Sequence, residues 1–368
     1  MKRLLLALLV SCVLFCSLSA DLMSTPSAAQ EMSTVPLPPE EVAQLKAKAE
    51  DGNLDAQLSL ARAYEVGNGV PKSDQQAAKW YRAAAEKGNA KAENSLGGMY
   101  RSGRGVNQDK VEAVVWYRKA ARQNDPSAMF NLGTAYYNGD GVGMDDVAAF
   151  AWFLLAQNFG SRPAIDAVKR MTEEAGNRQT NAFEKIGDMY QKGDDLPESY
   201  NAAVNWYRKA AENGEARVQV KLANLLLHDP TGTPNYNEVH RLCEKAAKQN
   251  SPTGAYCVGE LYEQGLGLER DLPKAAAWFS EAAKMGLADA ALRLGEMYWK
   301  GEGLKQDKIS AYEFMYLASV AGMPEASQER ERLEKELTHK ELQKGKDKAI
   351  EWSHQLHPLV LRGAPTAN

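Results

Sequence analysis

A period of 36 residues dominates this chain. The segment SLGGMYRSGRGV followed by VVWYRKAARQND returns 36 residues later as NLGTAYYNGDGV followed by FAWFLLAQNFGS. Stepping by 36 gives seven copies, with one jump of 54 between the third and the fourth. One column reads Leu60, Leu96, Leu132, Ile186, Leu222, Val258, Leu294, and the residue after each is glycine or alanine. Four positions on stand Tyr64, Tyr100, Tyr136, Tyr190, Leu226, Tyr262 and Tyr298. Further along run Trp80, Trp116, Trp152, Trp206, Leu242, Trp278, Phe314, and then an unbroken alanine column from Ala84 to Ala318. A sequence with fixed self-similarity of this length folds as an array of supersecondary units, each unable to bury its apolar face alone.

The columns define one unit. Leu and Tyr lie four apart, on one face of a first helix, A. Glycine within a helix costs about 1 kcal/mol relative to alanine. A small residue at every copy therefore predicts the close approach of a second helix, B, which carries Trp and Ala four apart. Seven residues before the Trp column stand Ser73, Asp109, Asp145, Ser199, Asn235, Asp271 and Asp307, all N-cap residues. Helix B ends at Gly88, Asn124, Gly160, Gly214, Asn250, Gly286 and Gly322, which tolerate the left-handed C-cap. Glycine pairs such as Gly103/Gly105 and Gly139/Gly141 predict the sharp turn from A to B.

The pattern L-G-x-x-Y-x-x-G-x-G-V, then A-x-x-W-Y-x-x-A-A-x-x-G, resembles the Sel-one-like repeat (SLR) family across roughly Leu54 to Met323. The resemblance implies an all-α fold, a right-handed α-solenoid of stacked helical hairpins, akin to tetratricopeptide repeats. It also implies an adaptor or scaffold that binds one or more partner proteins, with exported bacterial members serving envelope assembly, secretion or host-cell contact. Cysteine-rich relatives described as β-lactamases carry repeated cysteine pairs within each unit, and those are absent from this chain.

Outside the repeats the chain divides as follows. Lys2 and Arg3 precede an apolar run from Leu4 to Leu18, with small residues at Ser17, Ser19 and Ala20, so residues 1–20 read as a signal peptide and the product as periplasmic or secreted. The run is short of the ~20 residues of a membrane span. A lipoprotein reading of Leu9-Val10-Ser11-Cys12 leaves an unusually short signal. Residues 21–36 read as a flexible leader and 37–53 as an N-terminal capping helix. Units one to three occupy 54–161, and the jump of 54 inserts a half-repeat, predicting an extra helix and a hinge at 162–180. Units four to seven follow at 181–323, then charged C-terminal capping helices at 324–357 and a disordered tail at 358–368.

Composition argues for binding rather than chemistry. Loss of Lys2 and Arg3 with the signal takes the formal charge from −4 to −6, which argues against nucleic acid as a partner. No Walker sequence, G-x-S-x-G, S-x-x-K or K-T-G occurs, so the residues point to no catalytic group and no cofactor. A cell-wall-directed hydrolase or β-lactam-binding protein is the alternative, and it lacks a nucleophile–base pair. His354 and His357 stand one turn apart without further ligands, so no metal site is expected. The mature chain keeps Cys243 and Cys257, which either form one disulfide or remain buried thiols. In tetratricopeptide-like stacks the inner curve is lined by exposed helix A positions. Here these are Arg62, Glu65, Asn94, Arg101, Phe130, Tyr137, Asp188, Gln191, Asn224, Tyr256, Glu260, Glu263, Glu296 and Trp299. Acids gather in the later units, so a basic partner surface suits that end.

Overall fold

The computed structural model describes residues 36–355, apart from 174, 175, 177 and 231. The signal segment, the leader up to residue 35 and the tail lie outside the described residues, as does His357. Among the described residues the regular structure is helical throughout, and the chain forms two compact units that divide between Gln108 and Asp109.

The first unit contains α1 (Pro39–Glu50), α2 (Leu54–Val66), α3 (Asp74–Ala85) and α4 (Ala90–Ser102), each packed on the next. The α1 helix covers the apolar edge of the first hairpin: Val42 packs with Ala63 and Val70, and Ala49 with Leu60. The Leu37 amide donates to Asn68 Oδ1 at 2.9 Å and ties the entry of the chain to the α2–α3 turn.

The second unit opens with α5 (Lys110–Arg122), α6 (Pro126–Asn138) and α7 (Asp146–Asn158), then α8 (Arg162–Glu173). Four hairpins follow: α9 (Arg178–Lys192) with α10 (Tyr200–Glu212), α11 (Ala216–Leu227) with α12 (Tyr236–Ala247), α13 (Pro252–Gln264) with α14 (Leu272–Lys284), and α15 (Ala288–Lys300) with α16 (Lys308–Val320). It closes with α17 (Pro324–Glu336) and α18 (His339–Gln355). Within each compact unit, helix B packs on the helix A of its own hairpin and on the helix A that follows, which is the packing of an α-solenoid.

The caps set these lengths. At all seven helix B starts the side chain of the predicted residue accepts a first-turn amide, for example Asp109 from Glu112 at 2.9 Å and Asp145 from Ala148 at 2.8 Å. At all seven ends the backbone turns left-handed, including the non-glycine Asn124 (φ 63°) and Asn250 (φ 59°).

The small column is where the two helices of a hairpin meet. The ring of Phe153 lies on Gly133, that of Tyr207 on Gly187 and that of Phe279 on Gly259, each in the space a β-carbon would take. The A-to-B turn then seats on the preceding helix B. At Gly141 (φ 74°) an added β-carbon would come within 2.1 Å of the Lys110 carbonyl oxygen, so glycine is required both for the backbone angle and for the approach.

The half-repeat changes the packing. Both α8 and α9 lie on α7, with Lys185 Nζ 2.9 Å from Asp145 Oδ2 and Arg178 3.7 Å from Asp146 seating α9 at the start of α7. Gly176 (φ 45°) lies between α8 and α9, while Thr180 belongs to the first turn of α9 and accepts from Asn213 at 2.7 Å. The C-terminal end uses the same arrangement, with α17 and α18 both on α16. Lys348 of α18 donates to Ser310 at 3.0 Å and lies 3.5 Å from buried Glu313, and Trp352 meets Phe314 edge-on at 4.9 Å.

Candidate partner-binding face

The candidate residues lie on helix A of their units and are half-buried or exposed. In the first unit Glu65 is engaged from two sides. It accepts from the Tyr81 hydroxyl at 2.6 Å and pairs with Arg104, which also lies 3.7 Å from Asp74. Burial, together with the Glu65 carboxylate, pushes the Tyr81 hydroxyl far above its ordinary value. Arg62 and Asn94 share this face, half-buried, and the Arg101 carbonyl accepts from Gln108 at 2.9 Å within the turn.

In the second unit Phe130 packs on Phe153, with centroids 5.3 Å apart, and Tyr137 is exposed. Farther on, the face is laced by ion pairs from one helix A to the next. Buried Glu184 holds Arg217 and Lys221, and Lys221 also pairs with Asp188. The Tyr207 hydroxyl reaches this network from below, 2.5 Å from Asp188 Oδ1 and 2.6 Å from Gln191 Oε1. Beside it a shallow cleft of about 620 Å³ is lined by Glu184, Arg217, Val220, Lys221 and Asn224. The Asn224 carbonyl accepts from His228 Nδ1 at 2.8 Å.

The acid-rich end is only partly neutralised. Arg293 lies 2.5 Å from Glu263 and also pairs with Glu296. Glu260 stands beside them, half-buried, in no ion pair or hydrogen bond among the described residues. Burial, then the neighbouring Glu263, raises its carboxyl above the usual range; Arg293 opposes this without reversing it. Tyr256, one turn back, packs on Phe279 at 5.2 Å. Trp299 is placed differently from the rest of its column. Lys308 and Arg332 lie over its ring, 5.0 and 5.1 Å from the centroid, and it packs against the Tyr312 cluster.

The sequence analysis did not single out Glu184, Arg217, Lys221 or Arg293. Their signal was available in part: Lys221 and Arg293 share one column of helix A, and Arg217 stands one turn before Lys221 on the same helix. Among the described residues no group of three His, Cys, Asp or Glu side chains is arranged to hold a metal, and no helix is long and apolar enough to cross a membrane.

Comparison with known proteins follows the same units. The Sel1 repeat model matches seven times, at residues 54–89, 90–125, 126–156, 184–215, 216–251, 252–287 and 288–322. A solved Sel1 repeat protein from Oxalobacter formigenes is 30% identical, with 80% of each chain covered and a TM-score of 0.40. A protective antigen of uropathogenic Escherichia coli with an SLR fold is 24% identical, covering 90% of this chain and 91% of that one, with a TM-score of 0.37. An uncharacterized protein of Neisseria meningitidis is 26% identical over 132 residues, and the match spans 35% of this chain and 27% of that relative. With seven consecutive matches over most of its length, the chain belongs to the Sel1 repeat family.

Proposed function

We propose that this protein is an exported scaffold that binds partner proteins along the exposed helix A face of its repeats, with the acid-rich end of units six and seven taking a basic partner surface. Sel1 repeat proteins generally mediate protein–protein interaction, which supports the binding role. The observation that carries the finer reading is Glu260. Along this face Glu184, Asp188, Glu263 and Glu296 each form an ion pair, whereas among the described residues Glu260 forms none. A half-buried carboxylate that no cation pairs lowers stability, and residues that break a local rule in this way concentrate at functional positions. A partner's lysine or arginine supplies the missing charge.

Export is supported by the signal-like segment Lys2 to Ala20, and a Cys243–Cys257 disulfide suits an oxidising compartment. Envelope assembly and host-cell contact are the two settings that fit such a scaffold. The test is affinity capture with the tagged mature chain, Asp21 to Asn368, from envelope extract and from host-cell lysate. A saturable partner lost on charge reversal at Glu260 supports the proposal. Capture that is indifferent to the charge of this face contradicts it.

A further inference from the structure

Unit five keeps its helix B caps and its Leu222 and Ala246 columns but departs from the repeat at the turn and in its aromatic columns. Its helix A, α11, ends at His228 (φ −100°) instead of at a left-handed glycine, and its turn to α12 reads Asp229-Pro230 through Thr233-Pro234 without the glycine pair. Leu226 replaces the column tyrosine, Leu242 the tryptophan, and Cys243 the large side chain, aromatic in five units and Met315 in the seventh, that elsewhere fills the hairpin. The unit nevertheless holds its place, with α11 on α10 and α12 on α13.

What replaces the missing contacts lies in one register. At two other junctions between hairpins, the helix B residue of the Cys243 column meets a helix A residue of the next hairpin 14 positions on. Tyr81 meets Ser95 by a hydrogen bond between side chains. The Tyr207 ring has the Lys221 ammonium 5.3 Å from its centroid. At the same two positions in units five and six stand Cys243 and Cys257, separated by 14 residues, with Cα atoms 5.8 Å apart and a disulfide between them. Both are buried, at 0% and 3% exposure.

We propose that the Cys243–Cys257 bond is a redox-sensitive pin. It takes over, as a covalent bond, the junction contact made through Tyr81 and Tyr207 in units one and four, and it holds the divergent fifth unit in the stack. A thiol reductant supplies two electrons and two protons, becoming a disulfide itself, and leaves two cysteine thiols in place of the S–S bond. Unit five then has neither the aromatic filler nor the covalent link, and it becomes the first hairpin to open. Cys257 sits on α13 directly after Tyr256 and three residues before Glu260. The redox state of the pin therefore governs how firmly those two residues are presented. That last consequence rests on the proposed partner face; the pin itself does not.

The test is hydrogen exchange on the full mature chain, oxidised, and on two double variants. Cys243→Ser with Cys257→Ser removes the bond. Cys243→Tyr with Cys257→Ser installs the pair found at Tyr81 and Ser95. The serine variant is expected to exchange at least about tenfold faster across α11 and α12, with α5 to α7 unchanged, while the tyrosine variant returns toward the oxidised wild type. Unchanged exchange in α11 and α12, a uniform rise through the whole unit, or a tyrosine variant as fast as the serine variant would each overturn the pin. Mapped by exchange alone, a failed pin is distinguishable from a failed partner face, which is read by binding.

Discussion

The ring of Tyr207 rests on Gly187, where an added β-carbon would stand 2.5 Å from it. Tyr207 is fully buried, so its ring has nowhere to move. Alanine at a helix interior normally gains about 1 kcal/mol over glycine, and here overpacking of a closed contact outweighs that gain. Gly187→Ala is expected to lower the unfolding free energy by ~1–3 kcal/mol in urea titration. Gly143, with nothing within 4 Å of its added β-carbon, serves as the neutral comparison.

Trp116 occupies the Trp column at 7% exposure, with the Lys119 ammonium 3.7 Å above its ring. Trp116→Ala should cost ~3–5 kcal/mol, as a large-to-small change in a packed core. Unfolding by circular dichroism at wild-type stability would show that the column is not core.

Asp145 caps α7 and pairs with Lys185. Its burial opposes ionisation, but the Ala148 amide and the Lys185 ammonium together hold the carboxyl below its ordinary value of 3.8. A folded pKa below the unfolded one gives stability that is present above the unfolded value and lost as pH falls through the folded one. Asp145→Asn keeps the capping oxygen and loses the charge. Its deficit in thermal stability should therefore be largest near neutral pH and close as the pH drops below about 4.

Glu260 has the opposite sign. Its folded pKa lies above the ordinary glutamate value of 4.5, so the ionised form is disfavoured by the fold. Stability falls as pH rises from the unfolded value through the folded one, and the protonated form escapes this loss. Glu260→Gln is expected to raise the melting temperature at neutral pH and to match the wild type below about pH 4. A variant less stable than the wild type at neutral pH would mean that the carboxylate has a compensating partner.

The repeat and its caps were legible because each rests on local chemistry: a side-chain oxygen at Asp109, a left-handed backbone at Asn124, a missing β-carbon at Gly187. The double cover on α7 and α16 was less so. Its signal is the run Phe150 to Ala156, apolar all round the helix, which is the pattern of a helix packed on both sides; the counterpart on α16, Tyr312, Phe314 and Met315, is interrupted by the buried Glu313. The ion pairs of the candidate face were not legible, because they depend on which way long side chains reach. Arg293 turns to Glu263 and Glu296 and passes over Glu260, and nothing in the spacing of these residues decides that choice. The cysteine pair lay between these cases. Each column was visible, but that the two columns face one another follows only from how one hairpin stacks on the next.

The most direct measurement is the affinity of the captured partner for the mature chain, compared with Glu260→Lys and with Glu260→Lys combined with Glu296→Lys. Both positions are partly exposed, so the fold should survive, as circular dichroism would verify. Binding weakened at least about tenfold by the first change and further by the second, with a matching loss of salt dependence, is the predicted result. Equal affinity of all three proteins for the partner would contradict the acid-rich face as the site of binding.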